Sequence, residues 1–330
     1  MKPITIYLSS AGAINGINVI MALRKSKLNI RFIAGDCDPL STGLFLADKK
    51  YIVPLVKDPE FIPLLLEIFR KENVDIALPI YSADFPVFRE NKKLFEENRV
   101  RTYAPSERAL EISNNKYLVS KYFQSIQVPV PKSWLAEDIL TMNLFDLPYP
   151  LFMKKISGSG TRGIQIIKDK KDLEYFAKSG FVLQEYVEGE EYTIDVISDL
   201  EGNMIAASPR KRIKVYGGLS VISETIKDDE IVAYTKRIVE DLHLPGPSNI
   251  QCKRTLEGKL YFYDINPRFA SGGLPLAIAA GLNIPEILIR MLMGWEIPKK
   301  IKIKEGVIMI RYWDSIFVEK KESNNYEICN

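Results

Sequence analysis

The chain has few of the residues that the commonest catalytic and metal sites need. Histidine occurs once in 330 residues, as His243. Ser-His-Asp and Cys-His catalysis both need an imidazole beside the nucleophile, so a lone histidine without a patterned partner disfavours them. The three cysteines, Cys37, Cys252 and Cys329, are widely separated and lack any paired metal-ligand spacing. They predict reduced thiols in the cytoplasm, with neither zinc nor disulfides.

Long apolar runs and concentrated charge are also missing. Runs such as residues 62–68 are broken by proline or charge long before bilayer-spanning length, and residues 1–3 lead directly into a strand pattern. We therefore expect no membrane span and no signal peptide. The net charge is only +3, with basic and acidic residues interleaved. This pattern gives no concentrated positive potential that would attract a nucleic-acid partner.

The composition, 46% hydrophobic and 26% charged, is typical of a globular protein with two or three compact units. Strand and helix patterns alternate over residues 1–112, which predicts a parallel α/β sheet, with residues 101–103 as its last short strand. From residue 113 the pattern changes to a small α+β unit that ends near residue 189. Longer strands follow over residues 190–330.

The segment 261–269 places a carboxylate, a carboxamide and a guanidinium on alternate residues, Asp264, Asn266 and Arg268. Alternate residues share one face of a strand. The two oxygen donors suit Mg²⁺, and the guanidinium fork matches phosphate or carboxylate oxygens. An edge strand with a polar outer face would show the same pattern.

Residues 157–163 contain three glycines, three hydroxyl side chains and an arginine, between predicted strands at 151–155 and 164–167. Backbone N–H groups of such a loop approach an anion closely, and Lys154 stands just before it. A flexible hairpin turn is the alternative. The acid-rich segment 184–191 resembles a hinge whose backbone would bind an adenine edge, although a solvated acidic face would have the same composition.

The order of these motifs resembles the ATP-grasp superfamily. The motifs are the strand before Lys154, the Gly-rich loop, the hinge at 184–191, Gln251 and the Asp264-Ile-Asn266-Pro-Arg268 strand. The resemblance is to the carbamoyl-phosphate-synthase-like, carboxylate-amine ligase branch and covers essentially the whole chain. It implies a Rossmann-like pre-ATP-grasp domain at 1–112, a small lobe with a lid at 113–189 and a large lobe with the metal site at 190–330. The family more often has Glu at the position of Asp264.

The resemblance also implies a role for each matching residue. Nucleotide binding falls to Lys116, Lys154, Ser157, Gly158, Ser159, Gly160, Thr161, Gln184, Glu185, Tyr186, Val187 and Glu191, with Glu191 on the ribose. Mg²⁺ or Mn²⁺ would be bound by Gln251, Asp264 and Asn266. The catalytic residues would be Arg268 at the acyl phosphate, Lys154 at the nucleotide phosphates and Arg210 at the substrate carboxylate. A basic strand face explains Arg210 equally well.

The implied activity is ATP-dependent ligation of a small-molecule carboxylate to an amine through an acyl phosphate, with release of ADP and phosphate. Phosphorylation of bicarbonate, as in carbamoyl-phosphate synthesis, and ATP binding without catalysis are the alternatives. A homodimer is left open.

The leading loop, residues 9–16, invites a dinucleotide-binding interpretation together with Asp36. The spacing argues against it, because Ser10 and Asn15 occupy two of the three glycine positions of that motif. Asp84, at the start of a predicted helix, is either a helix cap or a substrate-binding residue.

The Gly-rich loop gives a first testable prediction. Three glycines make closure entropically demanding unless phosphate contacts offset it, so we expect residues 157–163 to become ordered when nucleotide binds. Protease cleavage within this loop should slow when Mg·ATP is added, as followed by mass spectrometry of the fragments. Mg²⁺ alone is the control. Equal cleavage with and without nucleotide would contradict a phosphate lid.

Overall fold

A computed structural model describes residues 2–142, 146–158, 163–321 and 326–329. The chain begins with a parallel sheet in the order β3-β2-β1-β4. Its central strand β1 is buried over its whole length, as apolar strands covered on both faces require. The elements of this leading unit are β1 (Ile4–Leu8), α1 (Ile14–Arg24), β2 (Ile30–Asp36), α2 (Thr42–Leu46), β3 (Lys49–Ile52), α3 (Phe61–Glu72), β4 (Ile76–Leu78), α4 (Asp84–Glu90), α5 (Lys92–Glu97) and α6 (Glu107–Asn114).

The strand predicted at residues 101–103 is wrong. Arg101 forms a single isolated bridge with Ile76. The Thr102 hydroxyl donates to the Ala77 carbonyl at 2.7 Å. That carbonyl is the acceptor that the next residue of a parallel ladder would use, so the side chain ends the pairing after one step.

A small antiparallel sheet follows, in the order β5-β8-β6-β7. The pairing of β6 with β7 confirms the antiparallel strands predicted on either side of the Gly-rich loop. The elements of this middle unit are α7 (Lys116–Ser125), β5 (Ser133–Leu135), α8 (Ala136–Met142), β6 (Leu151–Lys155), β7 (Gln165–Ile167), α9 (Lys170–Phe176) and β8 (Phe181–Glu185).

The third unit is built on a six-stranded sheet in the order β13-β12-β9-β10-β11-β14. All its strand pairs are antiparallel. A separate two-stranded hairpin, β15 with β16, lies near the end of the chain. The elements are β9 (Glu190–Ser198), β10 (Met204–Tyr216), β11 (Leu219–Thr225), α10 (Asp229–Asp241), β12 (Gly246–Arg254), β13 (Leu260–Asn266), α11 (Leu274–Ala279), α12 (Ile284–Leu292), β14 (Ile308–Ile310), β15 (Val318–Lys320) and β16 (Tyr326–Ile328).

One hydrophobic core joins the leading unit to the last one. Val19 and Ile20 of α1 belong to the same buried cluster as Leu274, Leu288 and Ile289 of α11 and α12. Packing of this kind holds the loops after β1 and β4 against the large sheet. No helix in the described ranges is long and apolar enough to cross a membrane.

The start of α7 is fixed by a side-chain cap. The Asn115 carboxamide oxygen accepts hydrogen bonds from the backbone N–H groups of Tyr117 and Leu118, at 3.0 and 3.1 Å. Such a cap satisfies N–H groups that have no partner within the helix. Lys116, the first helical residue, also donates its N–H to the Ile156 carbonyl at 2.9 Å. These bonds place Lys116 beside the base of the Gly-rich loop.

Candidate active site

A cavity of about 640 Å³ lies between the small antiparallel sheet and the large sheet. Among the described residues that were predicted for the site, only the exposed Ser157 does not line it. Ser159, Gly160 and Thr161 lie outside the described residues, so their role stays a prediction. The predicted residues on the cavity wall are Lys116, Lys154, Gly158, Gln184, Glu185, Tyr186, Val187, Glu191, Arg210, Gln251, Asp264, Asn266 and Arg268.

The alternating polar residues of β13 and the loop after it form one hydrogen-bonded row. The Asn266 amide donates to Asp264 Oδ2 at 2.9 Å. The Asn266 carboxamide oxygen in turn accepts from Arg268 Nη2 at 3.2 Å. Each group in the row therefore orients the next, as preorganised sites require.

Two lysines approach this row from other elements. Lys116 forms an ion pair with Asp264 Oδ1, and each side chain is only 14% exposed. Lys154, on β6, lies with its Nζ 5.9 Å from the ring centre of Phe152 and 5.6 Å from that of Tyr263. Desolvation in this aromatic setting lowers the pKa of Lys154 to about 8, with Asp264 opposing the shift. Burial also acts to raise the pKa of Asp264, but the two lysines outweigh it and hold that pKa below its usual value.

Tyr263 is a site residue that the sequence pattern does not reveal. Strict alternation puts it on the opposite face of the strand from Asp264. The structure has an irregularity there, since Gln251 pairs with Asp264 but Cys252 pairs with Phe262. The extra residue bends the strand and turns Tyr263 toward the cavity as well. Its hydroxyl donates to Glu191 Oε1 at 2.6 Å.

Glu191, predicted to bind ribose, already has two partners. Besides Tyr263, Arg212 forms an ion pair with its Oε1. The Arg212 guanidinium also donates to the Gly218 carbonyl at 2.7 Å, which fastens the turn between β10 and β11. These bonds fix the orientation of the Glu191 carboxylate at the cavity wall. Its contact with a ribose stays a prediction.

The hinge segment is held mainly by its neighbours. The Gln184 amide donates to Ser133 Oγ at 2.8 Å, and Glu185 Oε2 accepts from the Lys132 N–H at 2.9 Å. Lys253 donates to the Val187 carbonyl at 2.9 Å. Sequence reasoning missed Lys253, although it alternates with Gln251 on β12 and both residues line the cavity.

Arg210 faces the cavity but is already neutralised. Its Nε donates to Asp195 Oδ2 at 2.8 Å, and the two side chains are only 4% and 1% exposed. Its Nη1 donates to Ser220 Oγ at 3.0 Å. A Cβ at Gly273 would come within 1.9 Å of the Arg210 Nε, so the guanidinium depends on a glycine at that position. Its predicted contact with a substrate carboxylate stays a prediction, and the buried partner weighs against it.

The leading unit closes one end of the cavity. Ser82, in the loop after β4, accepts from Arg268 Nε at 3.2 Å. Asp84 is buried, and it accepts from the Ile80 N–H at 3.1 Å and from the Ser10 hydroxyl at 2.9 Å. The Asp84 carboxylate therefore ties the loops after β1 and β4 together.

The loop after β1 is packed shut where a dinucleotide would need space. Asp36 accepts from the Gly12 N–H at 2.8 Å. A Cβ at Gly12 would lie 2.2 Å from Ser41 Oγ. The Asp36 carboxylate binds its own loop, in agreement with the spacing argument against a dinucleotide site.

Two family models match the chain. Residues 178–313 match the model described as "ATP-grasp in the biosynthetic pathway with Ter operon". Residues 6–103 match "PylC-like, N-terminal domain". The first match contains the hinge, the polar row and the Arg210 strand. The chain therefore contains an ATP-grasp domain.

The relatives of this chain include carbamoyl phosphate synthase large chains. The carbamoyl phosphate synthase large chain of Clostridium perfringens (strain SM101 / Type A) is 25% identical over 299 residues, which cover 84% of this chain and 27% of the relative. That of Clostridium botulinum (strain Kyoto / Type A2) is 24% identical over 299 residues, with the same coverage of both chains. The chain thus spans about a quarter of the length of these relatives.

Solved structures share the fold at lower identity. The biotin carboxylase domain of Hydrogenobacter thermophilus 2-oxoglutarate carboxylase, solved with MgADP and bicarbonate, superposes with a TM-score of 0.74 at 17% identity, covering 100% of this chain and 84% of that one. N5-carboxyaminoimidazole ribonucleotide synthetase from Thermotoga maritima gives a TM-score of 0.64 at 21% identity, covering 90% and 78%. Both similarities concern the ATP-grasp fold alone.

The donor set fits the hard divalent cation that is typical of the ATP-grasp fold. Asp264 and Asn266 present oxygens on β13, and Gln251 pairs with Asp264 across the strands. The described residues contain no group of three or more His, Cys, Asp or Glu that could hold a metal alone. A cation at this position therefore needs further anionic ligands that the described residues do not provide. Mg²⁺ bound together with phosphates meets this need, because the phosphates are those ligands.

The Gly273 contact generates a second prediction. Gly273→Ala must displace the buried Arg210 from Asp195, so we expect the free energy of unfolding to fall by about 1–3 kcal/mol, as for overpacked cores. Urea denaturation measures the loss. Gly272→Ala is the matched control, because its Cβ would come no closer than 3.1 Å to another atom, at the Ser220 backbone nitrogen. Equal stability of the two variants would contradict this packing.

Proposed function

We propose that the protein is an ATP-dependent carboxylate-amine ligase. It phosphorylates a carboxylate to an acyl phosphate, which an amine then attacks, with release of ADP and phosphate. The observation that carries the proposal is the row of Asp264, Asn266 and Arg268, which meets Lys116 and Lys154 in one cavity. This set offers hard oxygens for a cation and separate cations for phosphoryl oxygens, which are the requirements of phosphoryl transfer.

Each part of the row takes one task in this scheme. Gln251, Asp264 and Asn266 hold Mg²⁺, which when bound offsets the negative charge of the phosphates. Lys116 leaves Asp264 for the nucleotide phosphates, and Lys154 supplies a second charge from its aromatic setting. Arg268 is held by Asn266 and Ser82, and it stabilises the charge on the acyl phosphate and on the tetrahedral adduct formed by the amine.

The rest of the cavity positions the nucleotide and excludes water. The hinge at 184–187 frames the adenine, and Glu191 accepts the ribose hydroxyls. Residues 157–163 act as the lid. Exclusion of water matters because an acyl phosphate hydrolyses readily.

Phosphorylation of bicarbonate is the second candidate. The named relatives favour it, since they are carbamoyl phosphate synthase large chains. Our proposal takes the broader class, in which a small carboxylic acid accepts the phosphoryl group. The partners in our proposal are therefore small carboxylates and amines.

The free thiols of Cys37, Cys252 and Cys329 support a reducing compartment such as the cytoplasm.

A substrate screen tests the proposal. Phosphate release from ATP is measured with Mg²⁺, a panel of carboxylic acids and a panel of amines, with bicarbonate as a separate arm. Release that needs both an acid and an amine supports ligation. Release with bicarbonate alone supports the second candidate, and no release above the protein-free blank with any pair contradicts both.

Arg268 provides a third prediction. Arg268→Lys keeps the charge but loses the planar fork, so we expect turnover to fall roughly 100-fold or more, the scale of removing one preorganised oxyanion donor. ATP affinity should change little. Phosphate release and calorimetric ATP binding are compared for the same variant.

The exposed Arg237 on α10 offers a matched control. Arg237→Lys should leave both measurements unchanged. A loss confined to ATP binding in Arg268→Lys would remove Arg268 from the catalytic step.

Lys154 provides a fourth prediction, on pH. Its pKa is lowered to about 8 by burial, so the free protein loses this charge as the pH rises through 8. Phosphates favour the charged form, so ATP binding near pH 8.5 should take up a proton, and affinity should fall above pH 8. Calorimetry in buffers of different ionisation enthalpy measures this uptake.

Lys154→Met should abolish the uptake, because it removes the titrating group. Lys236→Met, at an exposed position on α10, should retain it. Uptake that is the same in Lys154→Met and in the unsubstituted protein would assign the proton to another group.

A further inference from the structure

Two guanidiniums without a carboxylate partner meet at one residue of the cavity wall, Ser271. Arg268 Nη1 lies 3.5 Å from the Ser271 hydroxyl, and Arg311 Nη2 donates to the Ser271 carbonyl at 3.1 Å. Neither arginine forms an ion pair within the described ranges, whereas Lys116, Arg210 and Arg212 each do. Positive charge is therefore left uncompensated around Ser271, where Arg268 lines the cavity itself and Arg311 adjoins it through the Ser271 carbonyl.

Arg311 reaches Ser271 from the edge of the large sheet. It directly follows β14, and its backbone N–H donates to the Val221 carbonyl at 2.9 Å. Its Nη2 also lies 3.5 Å from the Asn18 carboxamide oxygen on α1. No described residue accepts a hydrogen bond from its Nε or Nη1. Burial lowers the pKa of Arg311, and the nearby Arg210 lowers it further.

Ser271, Arg268 and Arg311 together are called the Ser271 corner below. This corner is separate from the part of the cavity where the nucleotide phosphates would bind. The lysines and Asp264 lie at one end of the polar row and Arg268 at the other, against Ser82 of the leading unit. Ser271, which lines the cavity, meets Arg268 at Nη1, whereas Asn266 meets it at Nη2. A group bound to Arg311 would thus lie on the side of Arg268 that faces away from the lysines.

We propose that the Ser271 corner binds a second anionic group of the acid substrate. Arg268 faces the carboxylate that is phosphorylated, and Arg311 recognises a further carboxylate or phosphate on the same molecule, whose oxygens match the guanidinium fork. This inference rests on the proposed ligase function and narrows its substrate to acids with two anionic groups.

Equilibrium binding to the full chain tests the corner without turnover. Two matched pairs of probes are titrated by calorimetry in the absence of nucleotide, succinate against succinamate and phosphoglycolate against glycolate. In at least one pair, the probe with two anionic groups should bind roughly 10- to 100-fold more tightly than the probe with one. This is the gain expected from a hydrogen bond to a charged group. The pair with the larger preference distinguishes carboxylate from phosphate. No preference in either pair overturns the proposal.

Variants separate recognition from a structural role. Arg311→Gln should abolish the preference for the second anion, and Arg311→Lys should restore part of it. Arg237→Gln removes one positive charge at an exposed position on α10, and it should keep the preference. Loss of the preference in Arg237→Gln, its survival in Arg311→Gln, or an equal loss of ATP affinity in Arg311→Gln would each overturn the assignment.

Turnover distinguishes this proposal from the proposed function. Arg311→Gln should raise the KM for an acid with two anionic groups and leave kcat nearly unchanged. Arg311-dependent binding of succinate or phosphoglycolate without phosphate release from any pair of substrates would retain the anion subsite and overturn the ligase. Ligation of acids with a single anionic group, unaffected by Arg311→Gln, would retain the ligase and overturn the subsite.

Discussion

The ion pair between Lys116 and Asp264 is the interaction on which the candidate site depends. It joins the capped start of α7 to β13 on the large sheet, and both charges are mostly buried. A buried charge that loses its partner is strongly destabilising, so each of these groups requires the other or a substitute. Phosphates can replace the carboxylate beside Lys116, and a cation can replace the lysine beside Asp264. In the resting site, Lys116 and Asp264 thus neutralise each other. A cation–nucleotide complex would supply a new partner to both at once, with its phosphates beside Lys116 and its cation beside Asp264.

The end of the cavity at Arg268 depends on the leading unit. Ser82 contacts Arg268, and Asn18 donates to the Ser271 carbonyl at 3.0 Å. The core that α1 shares with α11 and α12 supports these contacts. The leading unit therefore helps to shape the site, although its own βα loop is closed by Asp36 and Gly12.

The local part of this arrangement could be predicted from the sequence. Apolar runs gave β1 and β8, and alternation on β13 placed Asp264 and Asn266 on one face, because these patterns depend on neighbours in the chain. The predictions failed where a distant contact decides. Thr102 ends a strand by bonding to Ala77, and a β-bulge turns Tyr263 inward. The partner of Arg210 is Asp195 on the adjacent strand, and Arg311 reaches Ser271 from forty residues away, which no local pattern encodes.

The lysine–aspartate pair also has a consequence for the order of events in a reaction cycle. Lys116 is tethered beside Asp264, so it competes with any cation for that carboxylate at a high effective concentration. Under the proposed function, free Mg²⁺ would gain little by entering alone, since it would have to separate the pair without phosphates to receive the lysine. After phosphoryl transfer the same competition would work in reverse, because the returning lysine would weaken the binding of the departing cation and nucleotide. Re-formation of the Lys116–Asp264 ion pair would then restore the resting site and favour product release.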